Sequence, residues 1–136
     1  MKKFHLGLFL LLTGLFLACN EDTFNDDQKP AAPPSELAYA QTINAYVGAG
    51  FNSGTPSVKT YGADPVFSIA GGSSKGEALS AELLNQFSIV DTTGIIKVET
   101  GNTLVAQPYS LDIKVQTTHG ETLFPKGYEV EILPLP

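Results

Sequence analysis

The sequence predicts an all-β fold, a Greek-key sandwich of about seven strands in residues 37–136, preceded by a signal peptide and a flexible tether. Three observations lead there. Apolar residues in the last hundred positions recur with a period of two in short runs, the pattern of strands with one buried face. Gly, Pro, Asn and Ser separate those runs at spacings that suit hairpins and sandwich corners. Finally, 136 residues with 43% hydrophobic and 16% charged residues suffice for one small core and no more.

Residues 37–46 and 57–61 supply the first strands, with the weakest alternation. Phe67 and Ile69 share a face in a strand over residues 66–70. Residues 78–86 read as a helix of about two turns, with Leu79, Leu83 and Leu84 near one side; so short a helix is marginal without packing. Phe87 alternates with Ile89, and Ile96 with Val98, across a turn at Asp91-Thr92-Thr93-Gly94 in which Gly can take positive φ. The clearest strand covers residues 109–116. It places Tyr109, Leu111, Ile113 and Val115 on one face and Ser110, Asp112, Lys114 and Gln116 on the other. Tyr109 opens that strand where sandwiches often hold a tyrosine bonded back to upstream backbone, so it is read as a structural corner. Thr118-His119-Gly120 marks a hairpin turn. Tyr128, Val130 and Ile132 alternate in the last strand, and Pro125 should bulge or end pairing just before it.

The first 36 residues are built differently. Lys2 and Lys3 precede an apolar run from Phe4 to Ala18 that would rise only about 22 Å as a helix, short of the roughly 30 Å hydrocarbon core. Residues 1–18 therefore read as a secretory signal peptide and not a spanning helix. Cys19, the single cysteine, stands where that run ends, after small Ala18 and before Asn20-Glu21-Asp22. A lone cysteine excludes an intrachain disulfide. Phe16-Leu17-Ala18-Cys19 resembles the lipobox of bacterial lipoproteins, with Phe16 where the pattern usually has Leu. The resemblance implies that Cys19 is the lipidation site, carries a diacylglycerol and anchors the chain to a membrane. Residues 19–36 then form the tether: they hold Glu21, Asp22, Asp26 and Asp27, then Lys29-Pro30-Ala31-Ala32-Pro33-Pro34-Ser35 and Glu36, a composition that stays extended. The acids close behind Cys19 resemble the export signal of Bacteroidota lipoproteins, which implies the outer face of the outer membrane.

Charge excludes one class of partner. There is no Arg, and Lys2 and Lys3 leave with the signal peptide, so six Lys face 14 Asp and Glu, a net charge of −8. Such a surface repels phosphate backbones, and nucleic acid is not a partner. Catalytic chemistry is equally unpromising. Gly72-Ser73-Ser74-Lys75-Gly76 fits G-x-S-x-G, but a nucleophile elbow needs the top of a large α/β sheet, so the segment reads as a flexible loop. His119, the one histidine after Cys19, sits in a turn. Glu77 occupies the place of the P-loop Lys, and no motif calls for a cofactor. The chain is therefore read as not an enzyme, with no catalytic residues and no metal.

The stretch from Phe87 to Val98, Phe-Ser-Ile-Val-Asp-Thr-Thr-Gly-Ile-Ile-Lys-Val, resembles a hairpin of cadherin-like and related immunoglobulin-like repeats. Pro65-Val66-Phe67-Ser68-Ile69 resembles the preceding strand of those repeats, and residues 101–115 the following one. Asp91 lies one place later than in the family pattern, and the calcium ligands of true cadherins have no counterpart here, a cation site needing several converging oxygens. The resemblance implies an immunoglobulin- or cadherin-like sandwich of the kind borne by Bacteroidota surface lipoproteins near glycan-uptake machinery.

Two functions remain open at this level. One is a carbohydrate-binding or adhesion accessory of a glycan-uptake system. The other is a non-catalytic assembly module packing on another outer-membrane protein. For the first, Tyr61 and Asp64 of one turn, together with Tyr46, are the candidate ligand contacts; Trp is absent.

Overall fold

Alternation decides the centre of the molecule. In β8 (Pro108–Thr117) Tyr109, Leu111, Ile113 and Val115 are buried, as the period of two requires. The computed structural model describes residues 31–136, and β8 lies inside a four-stranded antiparallel sheet of order β5-β4-β8-β9, with β4 at Val66–Ser74, β5 at Glu77–Ala78 and β9 at Gly120–Glu131. A second sheet, β2-β7-β6, joins Phe51–Asn52, Ile96–Val98 and Phe87–Ile89. β1 (Ser35–Ala38) pairs with β3 (Ser57–Lys59). Phe87, Ile96 and Val98 of the three-stranded sheet pack with Phe67, Tyr109, Leu111, Tyr128 and Val130 of the four-stranded one in a single core. Phe87 and Tyr109 meet across it with ring centroids 5.7 Å apart. The protein is an all-β sandwich, as the texture predicts. It has nine strands among the described residues where about seven were expected, the two-residue β2 and β5 making the difference.

Several elements fall where expected. Tyr109 is the corner: its buried hydroxyl accepts the Val105 N–H at 3.1 Å. The turn after β6 brings Gly94 to φ 78°, and a Cβ there would stand 2.8 Å from Pro56 Cγ and 2.9 Å from the Phe67 ring. Thr118 and His119 turn β8 into β9, with the His119 N–H donating to Thr117 Oγ1. Pro125 does bulge. Leu111 faces Tyr128 and Ile113 faces Phe124, so residues 125–127 together oppose Asp112. The Asp112 carboxylate holds that bulge by accepting the Lys126 N–H at 2.9 Å. A second irregularity, between Ile69 and Gly71 of β4, faces the same aspartate from the other side.

Four expectations are corrected. The last strand is 12 residues long and begins at Gly120, because the bulge absorbs the break at Pro125 and pairing continues on both sides of it. The helix over residues 78–86 shrinks to one turn, α1 (Ala81–Leu84). Ser80 caps it by accepting the Leu83 N–H, while the Leu79 N–H is drawn to Gly72 O of β4. The segment around Ser74 is not a flexible loop but a hairpin between β4 and β5, with Lys75 and Gly76 at positive φ in its turn. The single strand read over residues 37–46 is instead β1, followed by an irregular stretch and a parallel bridge between Tyr46 and Leu133. Asn44 between them has φ 61°, a left-handed conformation that Asn tolerates and that ends a strand.

Candidate functional site

The break after β1 has a consequence for β9. Along an antiparallel strand, successive residues point their N–H and C=O alternately toward one neighbour and the other. Ile132 donates to Gln107 O, on the β8 side. Leu133 faces the opposite side, where its N–H reaches Ala45 O and its C=O accepts from Val47. By the same alternation, Glu131 and Glu129 direct their backbone groups outward, toward residues 40–42. Their β8 partners fit this, since Glu131 stands opposite Pro108, which has no N–H to offer. Among the described residues no backbone hydrogen bond joins residues 40–42 to Glu129 or Glu131. The strand edge is therefore open over this short interval, between the Leu133 pairing at one end and the Lys126 bulge at the other.

An open groove of about 650 Å³ occupies that interval. Residues 38–42 form one wall; residues 108–110, 126–127 and 129–131 form the rest. Its rim is polar. Gln41, Lys126, Glu129 and Glu131 are exposed, while Tyr39 and Thr42 are half-buried. Below them, Tyr39 and Tyr128 meet edge to face at 5.1 Å. The Tyr39 hydroxyl donates to Gly94 O at 2.6 Å, and the Tyr128 hydroxyl pairs with Thr42 Oγ1 at 2.7 Å. Burial pushes both phenols above the ordinary tyrosine range; each phenol near the other adds to the shift on Tyr39, and the Thr42 hydrogen bond partly offsets that on Tyr128. These two hydroxyls thus tie the wall residues Tyr39 and Thr42 to Gly94 and Tyr128, and stay neutral.

The sequence-predicted contacts lie elsewhere, and not together. Tyr46 sits beside Leu133, beyond the Pro108 end of β8. Tyr61 and Asp64 precede Val66, which pairs with Gln116 at the other end. Eight residues of β8 separate the two levels, on the order of 25 Å. Tyr61 is half-buried, not an open platform. Lys59 Nζ stands 5.2 Å from its ring centroid, and its hydroxyl lies 3.3 Å from Ser35 Oγ. Asp64 is exposed and Tyr46 half-buried. Cys19 lies outside the described residues.

Ser74 is occupied structurally, its hydroxyl donating to Pro108 O at 2.5 Å. His119 is at the far end of β8, so the two cannot act on one substrate atom. Among the described residues, no three His, Cys, Asp or Glu side chains converge, and no helix is long and apolar enough to cross a membrane. Sequence reasoning missed Gln41, Thr42, Glu129 and Glu131. The alternation over residues 128–132 does put both glutamates on one face, but only the pairing shows that the strand edge beside them is free.

Fold and groove together define a small β-sandwich module with an open-edged groove of mixed lining and polar rim. No family model matches the chain, and no curated protein matches it. Among solved structures it is similar to a SusE-like, surface-located polysaccharide-binding protein from the heparin utilisation locus of Bacteroides thetaiotaomicron. The TM-score is 0.63 at 19% identity, over 75% of this chain and 16% of that one. The chain thus corresponds to about one sixth of that protein's length, and the likeness is one of fold.

Proposed function

We infer that this chain is a cell-surface glycan-binding module, an accessory of a glycan-uptake system, anchored in the outer membrane through lipid on Cys19 and without catalytic activity. The observation that carries the reading is the polar-rimmed groove beside the open edge of β9, in a fold that a surface polysaccharide-binding protein also uses. The lipobox-like Phe16-Leu17-Ala18-Cys19 supports the anchor, and the acids behind it support display on the outer face. Isothermal calorimetry of the detergent-solubilised chain against a polysaccharide panel tests the binding. Saturable heat with at least one polysaccharide is expected; none with any would overturn the reading. Cys19→Ala should lose metabolic labelling with palmitate and leave the membrane fraction, and unchanged labelling would remove the anchor.

One observation favours a second reading, in which the module packs on another outer-membrane protein. Ile43, Val105, Leu133 and Leu135 are exposed, and each lies within two residues of the backbone bonds joining Ala45, Gln107, Ile132 and Leu133. Four apolar side chains gathered at one end of a small domain suit a protein contact. Co-purification of a stoichiometric partner, lost in Ile43→Ser/Leu135→Ser, would support it.

A further inference from the structure

Resting on the glycan-binding reading, we propose that the groove between residues 38–42 and the outer edge of β9 is the binding site, and that it takes an uncharged polysaccharide and rejects sulfated or uronate-rich ones.

The argument begins with what the groove offers. Glu129 and Glu131 each direct one N–H and one C=O outward, and their carboxylates and the Gln41 amide add to the rim. A sugar hydroxyl both donates and accepts, so it satisfies N–H groups and carboxylates alike. A sulfate or carboxylate group only accepts, and here acceptors predominate. Lys126 is the single cation lining the groove, against Glu129 and Glu131. The surroundings reinforce this, since residues 31–136 carry five Lys and ten Asp or Glu, a net charge of −5. A polyanion approaches such a surface against repulsion, without the cationic groups that would pair its charge.

The geometry also decides between a glycan and an added peptide strand, the other ligand of an open sheet edge. Only two outward-facing residues are free, a span on the order of 7 Å per repeat of two residues. Pairing at Leu133 closes one end, and the Lys126 bulge turns the chain away at the other. A typical strand needs five or six residues. A groove of about 650 Å³ is nonetheless within the range of small-molecule sites, so it fits a few linked sugar rings better than an extended peptide.

The full-length chain in detergent is titrated with neutral polysaccharides (dextran, arabinoxylan, galactomannan, xyloglucan, amylopectin) and with heparin and polygalacturonate. Three variants are compared: Ala40→Trp, which fills the groove from an exposed wall position; Gln41→Ala, which removes a rim amide without adding bulk; and Tyr61→Ala at the opposite end. Thermal melts confirm that each is folded. The expected result is binding to at least one neutral polysaccharide and none to the polyanions, weakened tenfold or more by Ala40→Trp, several-fold by Gln41→Ala and less than twofold by Tyr61→Ala. No binding of any polysaccharide by the wild type overturns the functional reading itself. Neutral binding that survives both groove variants, or that Tyr61→Ala abolishes, overturns this site and leaves the function standing. Heparin bound as tightly as any neutral polymer overturns the ligand class. Groove-dependent capture of an extended peptide, with polysaccharides ignored, assigns the groove to peptides and ends the proposal.

Discussion

Gly94 separates two costs that are usually confounded. Its φ of 78° is left-handed, and a Cβ there would meet Pro56 Cγ at 2.8 Å and the Phe67 ring at 2.9 Å. Gly101 has φ 88° but nothing within 4 Å of a would-be Cβ. Gly101→Ala therefore measures backbone strain alone. That strain is about 1–2 kcal/mol for an L-residue, reduced by about 0.4–1 kcal/mol because alanine also restricts the unfolded chain. Gly94→Ala carries the same strain plus overpacking. Phe67 is 3% exposed and part of the core, and Pro56 is a rigid ring, so neither yields cheaply; overpacking adds about 1–3 kcal/mol. Gly94→Ala should thus be less stable than Gly101→Ala by about 1–3 kcal/mol, a melting-temperature difference of roughly 4–8 °C per kcal/mol for a domain of this size. Urea unfolding followed by circular dichroism, with m held constant across variants, provides the measurement. Equal midpoints for the two variants would refute the reasoning, because the close approach at Gly94 would then cost nothing.

Three further outcomes follow from buried polar groups. Tyr109→Phe keeps the ring against Phe87 but leaves the Val105 N–H without its acceptor; a loss of about 1–3 kcal/mol is expected, and wild-type stability would make the corner ornamental. Ser53 is buried, and its hydroxyl accepts the Ile96 N–H at 2.8 Å while donating to Gly54 O, so Ser53→Ala should cost a similar amount in the same urea assay. Tyr39 and Tyr128 titrate above the ordinary tyrosine range when folded, which means the folded state holds their protons more tightly than the unfolded state. Their contribution is fully present below about pH 10, the unfolded value, and is lost as pH rises beyond it. The urea midpoint should be flat on this account up to about pH 9 and fall above pH 10, less steeply in Tyr39→Phe.

Strands whose pattern is local were legible in the sequence. The alternation from Tyr109 to Val115 and the pair Ile96 and Val98 report the buried face directly, and the corner at Tyr109 follows from its place in the strand. What was not legible depended on partners distant in sequence. Gly71-Gly72-Ser73-Ser74 has poor strand propensity, yet it continues β4 because β8 and β5 pair with it. Glycine at position 72 answers to close packing, since a Cβ would lie 2.9 Å from Leu79 and 3.0 Å from Leu111. Leu123-Phe124-Pro125-Lys126-Gly127 interrupts the alternation and reads equally as a bulge or as an end of pairing. Asp112, on the neighbouring strand, decides for the bulge by accepting the Lys126 N–H. The groove is the extreme case, because it exists through a failure of pairing, which no single segment records.

The same features that leave the edge of β9 open also keep it from being a hazard. An unpaired edge invites another chain to add a strand, and proteins blunt such edges with bulges, charges and brevity. All three are present here: the bulge at residues 125–127, the exposed carboxylates of Glu129 and Glu131, and a free interval of only two outward-facing residues. Were the carboxylates there only for protection, lysine would serve the edge as well, as it often does elsewhere. Glutamate protects it while leaving acceptors for hydroxyl donors and repelling polyanions. In the proposed function, protection of the edge and discrimination against polyanions thus fall to the same two side chains.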